Sequence, residues 1–151
     1  MPQSLSQVYV HVVFSTKYRA SYISEAIAPE LFSFMAGVCN NLECNPVAVG
    51  GYLNHVHILC LLSRKVAQMD LVSKVKSNSS RWAKARFPEL HDIFDWQDGY
   101  GIFSVSKSNV YAVTKYINTQ VEHHSNMIFE DEFLGLLKKH NIDYDERYIW
   151  D

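Results

Sequence analysis

Two histidines separated by a single residue, His55 and His57, interrupt an apolar run from Tyr52 to Leu62. Side chains on a β-strand alternate between faces, so residues two apart point the same way. The spacing therefore predicts two imidazoles side by side on one face of a sheet. Neutral imidazoles held that close can chelate a divalent metal. Further along the chain Tyr116 and Gln120 lie four residues apart, and on a helix such a pair shares a face. The amide oxygen of Gln120 can act as a third ligand beside His55 and His57. Three protein ligands leave positions open for phosphate oxygens or water, which marks a catalytic rather than a structural metal site. A tyrosine brought to a metal-bound phosphate is a nucleophile for cutting a nucleic-acid strand.

Tyr116 is chosen among nine tyrosines because it has a potential ligand one helical turn away. Tyr111 faces elsewhere on the helix, Tyr9 belongs to the packing of a first strand, and Tyr144 and Tyr148 sit in an acidic tail. Each residue also has a plainer reading. Paired histidines occur in cores, hydrogen-bonded to backbone; glutamines are ordinary surface residues; most tyrosines pack. His11 reads as a core histidine within reach of the site. His123 and His124 are candidate DNA or supporting contacts, although histidines at a helix end also suit the negative pole of its dipole.

The net charge of −2 argues against a broadly basic nucleic-acid binder, but distribution matters more than the sum. Seven cations and one acid, Asp70, lie between Arg64 and Arg86, whereas the stretch from Glu122 onward is acidic. Lys74, Arg81 and Lys84 are the candidate phosphate track. Lys17 and Arg19, just after the first strand, are candidate phosphate contacts. No apolar stretch approaches membrane-span length, and the start of the sequence lacks the pattern of a signal peptide. Three irregularly spaced cysteines make neither a zinc motif nor a disulfide framework, and a cytoplasmic location is expected.

The elements that must position these residues follow from periodicity. Strands are expected at 7–14, 47–49, 53–62 and 101–106. Helices are expected at 24–43, capped by Ser24, at 66–86, and from Ser108 to about His124. Leu71, Val75 and Trp82 form the buried stripe of the second helix. Val110, Val113, Ile117 and Val121 form that of the third. Gly50-Gly51 marks a turn or a close backbone approach. The order β-α-β-β-α-β followed by one more helix, which carries Tyr116, is an α+β, ferredoxin-like arrangement: an antiparallel sheet with helices on one face and an open face. The first and third strands should be central. Residues 1–151 read as one domain, with 125–151 as its apolar-anchored tail.

Five segments in order resemble the single-tyrosine HUH transposases of bacterial insertion sequences and their REP-associated relatives. They are His11–Arg19, His55-Val56-His57, Trp96–Ser106, Tyr116–His124 and Tyr144–Tyr148. HUH denotes histidine, a hydrophobic residue, histidine. The resemblance covers nearly the whole chain, and it implies a homodimer in which the tyrosine helix docks against the partner's histidine pair, giving composite sites formed in trans. It implies His55, His57 and Gln120 as ligands of Mg²⁺ or Mn²⁺ and Tyr116 as nucleophile. The implied substrate is single-stranded DNA with hairpins near the element ends, cleaved and rejoined through a 5′-phosphotyrosine intermediate. Three other readings fit parts of the pattern: a ferredoxin-like module that binds DNA or RNA without cutting, a metal-dependent phosphodiesterase of small nucleotides, and a replication-type relaxase.

Overall fold

The computed structural model describes residues 2–151. The elements run β1 (Tyr9–Ser15), α1 (Ala28–Asn41), β2 (Asn45–Tyr52), β3 (His55–Leu61), α2 (Gln68–Arg86), β4 (Gly101–Val105), α3 (Val110–Asn118), α4 (Gln120–His123) and α5 (Phe129–Lys139). The four strands form one antiparallel sheet in the order β2-β3-β1-β4. The ferredoxin-like α+β arrangement is therefore present, with β1 and β3 at its centre. Among the described residues no helix is long and apolar enough to cross a membrane.

Period-two alternation divides the central strands between two faces. Val10, Val12 and Phe14 of β1, with Val56, Ile58 and Cys60 of β3, join the main apolar cluster beneath α1 and α2. Leu31, Met35 and Val38 supply the buried stripe of α1, and Leu71, Val72 and Val75 that of α2. Trp82 is only half-buried; it stacks on Phe34 of α1 with ring centroids 4.8 Å apart. The opposite face carries His11 and Val13 from β1 and His55, His57 and Leu59 from β3.

That second face is not open, contrary to the sequence-based expectation of helices on one side only. Ile117 of α3 packs on Ala48 and Leu59. Phe129, Phe133 and Leu137 of α5 pack on Val13 and Phe103. Residues 125–151, read from the sequence as an apolar-anchored tail, thus contain a helix, α5. Its signature is readable afterwards: Phe129, Phe133, Leu136 and Leu137 recur at helical spacing, with acids in the first turn and Lys138 and Lys139 in the last, each matched to the helix dipole.

Boundaries move for identifiable reasons. β2 begins at Asn45 because it is an edge strand, where Pro46 need not donate to a ladder; the register shifts between Pro46 and Ala48. Helix α1 begins at Ala28, after a turn in which the Ser24 carbonyl accepts from the Ile27 and Ala28 amides. The tyrosine helix is not continuous to His124. It breaks at Thr119 (φ −114°, ψ 27°), and the chain restarts as the short α4. The break turns Gln120 inward and leaves Val121 62% exposed, so Val121 is not part of the apolar stripe expected for it.

Candidate metal and tyrosine site

His55 and His57 point to the same side of β3 and are fully buried, with ring centroids 5.1 Å apart. Gly50, opposite His57 on β2, sets the height of the helix above them. A Cβ there would lie 2.7 Å from the Ile117 carbonyl oxygen, so the bare glycine lets α3 settle onto the sheet. This is the close approach that the Gly-Gly pair suggested. Tyr116, the neighbour of Ile117, then reaches the histidines, its ring centroid 5.6 Å from that of His57. The pairing lies within one chain, whereas the resemblance implied the partner's histidines.

The donor atoms converge. Nε2 of His55 is 2.9 Å from Oε1 of Gln120 and 3.2 Å from Oε1 of Glu132. Nε2 of His57 is 3.3 Å from the same Glu132 oxygen. Octahedral bonds of about 2.1 Å place adjacent donors about 3 Å apart, so these spacings suit a divalent ion. The chemistry of the set agrees. His55 must donate its Nδ1 proton to Asn54, because the atom facing it at 2.9 Å is an amide oxygen. In the neutral ring Nε2 is then a bare lone pair facing two further oxygens, an array that calls for a cation. Among the described residues, His55, His57 and Glu132 are the one His/Cys/Asp/Glu group close enough to hold an ion.

Glu132 was not foreseen from the sequence. It looked like one more acid in an acidic tail, and α5 was not anticipated. It is 4% exposed and uses its two oxygens differently. Oε1 faces His55, His57 and His124, while Oε2 accepts hydrogen bonds from the Tyr116 hydroxyl and from the Gln120 amide at 2.9 Å. Burial works to raise its pKa, while protonated forms of the facing His55 and His57 imidazoles would outweigh burial and lower it. Burial, followed by the bond to Glu132, pushes the Tyr116 phenol above its ordinary value. Burial lowers His57 against the opposing pull of Glu132, which favours the neutral, ligating form.

The remaining candidates divide. His124 enters the site: its Nε2 lies 3.0 Å from Glu132 Oε1 and 3.1 Å from Gln120 Oε1, and its ring stacks on Tyr52. His123 is exposed beside Tyr116, with centroids 4.8 Å apart. Lys17 pairs with Asp98 at 3.6 Å, and Arg19 pairs with Glu130 and lies over the Trp150 ring. Lys74 and Arg81 are exposed on α2, and Arg81 and Lys84 line a groove of about 560 Å³. Because α2 covers the apolar face, these three cations lie across the sheet from the histidines. No single surface holds both groups.

The class of protein is thus a ferredoxin-like domain whose sheet presents a buried histidine pair to a carboxylate and a tyrosine on the covering helices. Residues 4–120 match the family described as "Transposase IS200 like". The chain belongs to that family of DNA transposases, enzymes that cut DNA and transfer its strands. Among solved structures, it resembles a chain described as a transposase from Deinococcus radiodurans R1, at 22% identity and a TM-score of 0.66. That match covers 80% of this chain and 95% of the other. It also resembles a REP-associated tyrosine transposase bound to a REP hairpin, at 11% identity and a TM-score of 0.56, covering 82% and 74% respectively. These two likenesses concern the fold. No curated protein matches the chain significantly.

Proposed function

We propose that this transposase cleaves and rejoins single-stranded DNA at hairpin-flanked sites through a covalent bond to Tyr116. The observation that carries the reading is the meeting of four donor atoms, from His55, His57, Gln120 and Glu132, beside a phenol hydrogen-bonded to the same carboxylate. His55 and His57 would hold Mg²⁺ or Mn²⁺ together with Glu132 Oε1 and Gln120 Oε1. Bound there, the metal would polarise the scissile phosphate and offset charge developing on its oxygens.

The protein groups divide the remaining work. Glu132 Oε2 orients the Tyr116 hydroxyl by accepting its hydrogen bond, and the phenolic proton passes to solvent as the oxygen attacks, because a carboxyl of lowered pKa is too weak a base to hold it. The Tyr116 oxygen attacks phosphorus, the bond from phosphorus to the 3′ oxygen breaks, and that oxygen takes a proton from solvent. A 5′-phosphotyrosine and a free 3′-hydroxyl result. The diester energy is retained in the protein linkage, so a second 3′-hydroxyl can reverse the step and join new ends. Burial of the cluster favours a flexible single strand, whose backbone can bend into the site.

Lys74, Arg81 and Lys84 are proposed to track phosphates of the flanking DNA, with Lys17, Arg19, His123 and His124 nearer the cut. The neighbour that holds a REP hairpin supports a hairpin substrate. Residues 1–151 would act as one domain in a homodimer. A single chain already aligns Tyr116 with its own His57, so the site works in cis or by exchange of α3 between copies; mixing His57→Ala with Tyr116→Phe subunits separates the two, since only exchange restores activity. Reduced, buried cysteines fit a cytoplasmic setting.

The deciding experiment incubates the protein with single-stranded hairpin oligonucleotides and Mn²⁺ or Mg²⁺. A covalent protein–DNA adduct is expected, absent without metal and absent in Tyr116→Phe. Cleavage that survives Tyr116→Phe would identify water as the nucleophile and a phosphodiesterase. Binding without cleavage would leave only a nucleic-acid-binding module.

A further inference from the structure

Each imidazole of the metal pair has an outer nitrogen, turned away from the converging donors, and each outer nitrogen meets one buried partner. Nδ1 of His55 lies 2.9 Å from Asn54 Oδ1, and Nδ1 of His57 lies 2.8 Å from Nε2 of His11. Neither partner is hydrogen-bonded to the converging donor atoms. We propose that Asn54 and His11 are positioning residues that hold the two imidazoles with Nδ1 protonated and Nε2 bare toward the ion. The inference rests on the metal-site reading.

Asn54 is itself oriented. Its amide nitrogen donates to the Arg19 carbonyl at 3.3 Å, which leaves its oxygen for His55 and fixes which way the amide points. It sits in the two-residue turn between β2 and β3, where Tyr52 pairs with His55, so the turn places it beside the first imidazole. His11 reaches the second imidazole from the adjacent strand. Val13 is the residue paired with His57, and His11, two residues along on the same face, meets it diagonally. The two rings stack with centroids 5.1 Å apart and an interplanar angle of 27°. His11 is 4% exposed and adjoins Phe103.

Two bare nitrogens 2.8 Å apart would repel, so one proton lies between His11 and His57. When His57 ligates through Nε2, that proton is on His57 Nδ1 and His11 accepts it. Outer hydrogen bonds of this kind fix the tautomer and ring orientation of a ligating histidine, and losing one costs about 10- to 100-fold in metal affinity. The β1 histidine read from the sequence as core packing thus has a specific task.

The test uses the whole chain without DNA. In ¹⁵N-labelled protein, a coupling across the N–H···N bond between His11 and His57 is expected, with the His55 proton on Nδ1. Mn²⁺ affinity, read by electron paramagnetic resonance, should fall about 10- to 100-fold in Asn54→Ala and in His11→Phe. It should recover in Asn54→Asp and His11→Gln, which restore an acceptor oxygen. Thermal melts check that each variant folds. The proposal is overturned if the wild-type spectra lack the coupling or place the His55 proton on Nε2 alone, or if affinity ignores the substitutions or is not rescued. These outcomes stand apart from DNA cleavage: wild-type protein that binds no Mn²⁺ would sink the metal reading itself, whereas intact binding indifferent to both partners sinks only this inference.

Discussion

The two faces of the one sheet are built on opposite principles. Beneath α1 and α2 the face is apolar: Phe14, Val56 and Ile58 are sealed against Leu31, Met35 and Leu71. Beneath α3 and α5 the same strands present His11, His55 and His57 to Gln120 and Glu132, equally buried but polar. Among the described residues every buried side-chain polar atom has a polar atom within hydrogen-bond distance, and on the second face a cation between the bare histidine nitrogens and the facing oxygens would complete the network. The first face secures the fold by removing apolar area from water. The second holds reactive groups at fixed separations.

The contrast predicts that substitutions on the two faces will be read by different instruments. Phe14→Ala should produce the largest loss of stability, about 3–5 kcal/mol, because Phe14 is wholly buried and its ring packs edge-on to Trp96. Chemical denaturation measures it, and Mn²⁺ affinity of the folded fraction should be unchanged. Glu132→Gln reverses the pattern. Mn²⁺ affinity should drop at least about tenfold, an expectation scaled from the loss of lesser contacts around metal sites. The melting temperature should move little, since volume is conserved. An undiminished affinity in this variant would remove Glu132 from the ligand set and return the third position to Gln120 alone.

Gly50→Ala tests the seam between the sheet and its polar cover. The added methyl meets the backbone of α3, and overpacking of this kind costs about 1–3 kcal/mol. Adduct formation should slow with it, because Tyr116 rides on the displaced helix; melting and a time course of adduct formation give both numbers.

Acid should act on the polar face alone. Burial, then the charge of His57, holds the His11 pKa well below 6.5; Glu132 opposes, while His140 and Lys139 add to the lowering. Burial likewise lowers His57. A depressed folded pKa means that the unfolded chain takes up protons first. The stability contributed is therefore present above pH 6.5 and is lost as pH falls below it toward the folded values, by up to about 1.4 kcal/mol per pH unit for each group. Melting temperatures from pH 7.5 to 5 should fall for the wild type and fall less for His11→Phe. An identical slope in the two proteins would show that His11 does not titrate with unfolding.

The sequence by itself determined the sheet and half of the site. Period-two alternation in β1 and β3 fixed which residues share a face, a local, geometric consequence of backbone repeat; the four-residue spacing of Tyr116 and Gln120 suggested a shared helical face, but the helix breaks between them at Thr119 and the two meet at Glu132 instead. It also marked Gly50 as a place where backbones approach. Only the tertiary structure decided that Glu132 joins the cluster, that His11 and Asn54 stand behind the histidines, and that Val121 turns outward at the Thr119 break while Gln120 turns in. It also decided that the basic residues of α2 lie across the sheet from the tyrosine. Asn54 adjoins His55 in the chain and is placed by the turn, but the other contacts join distant residues pressed together by helix packing, and no repeat along the chain encodes which distant side chain will complete a buried polar group.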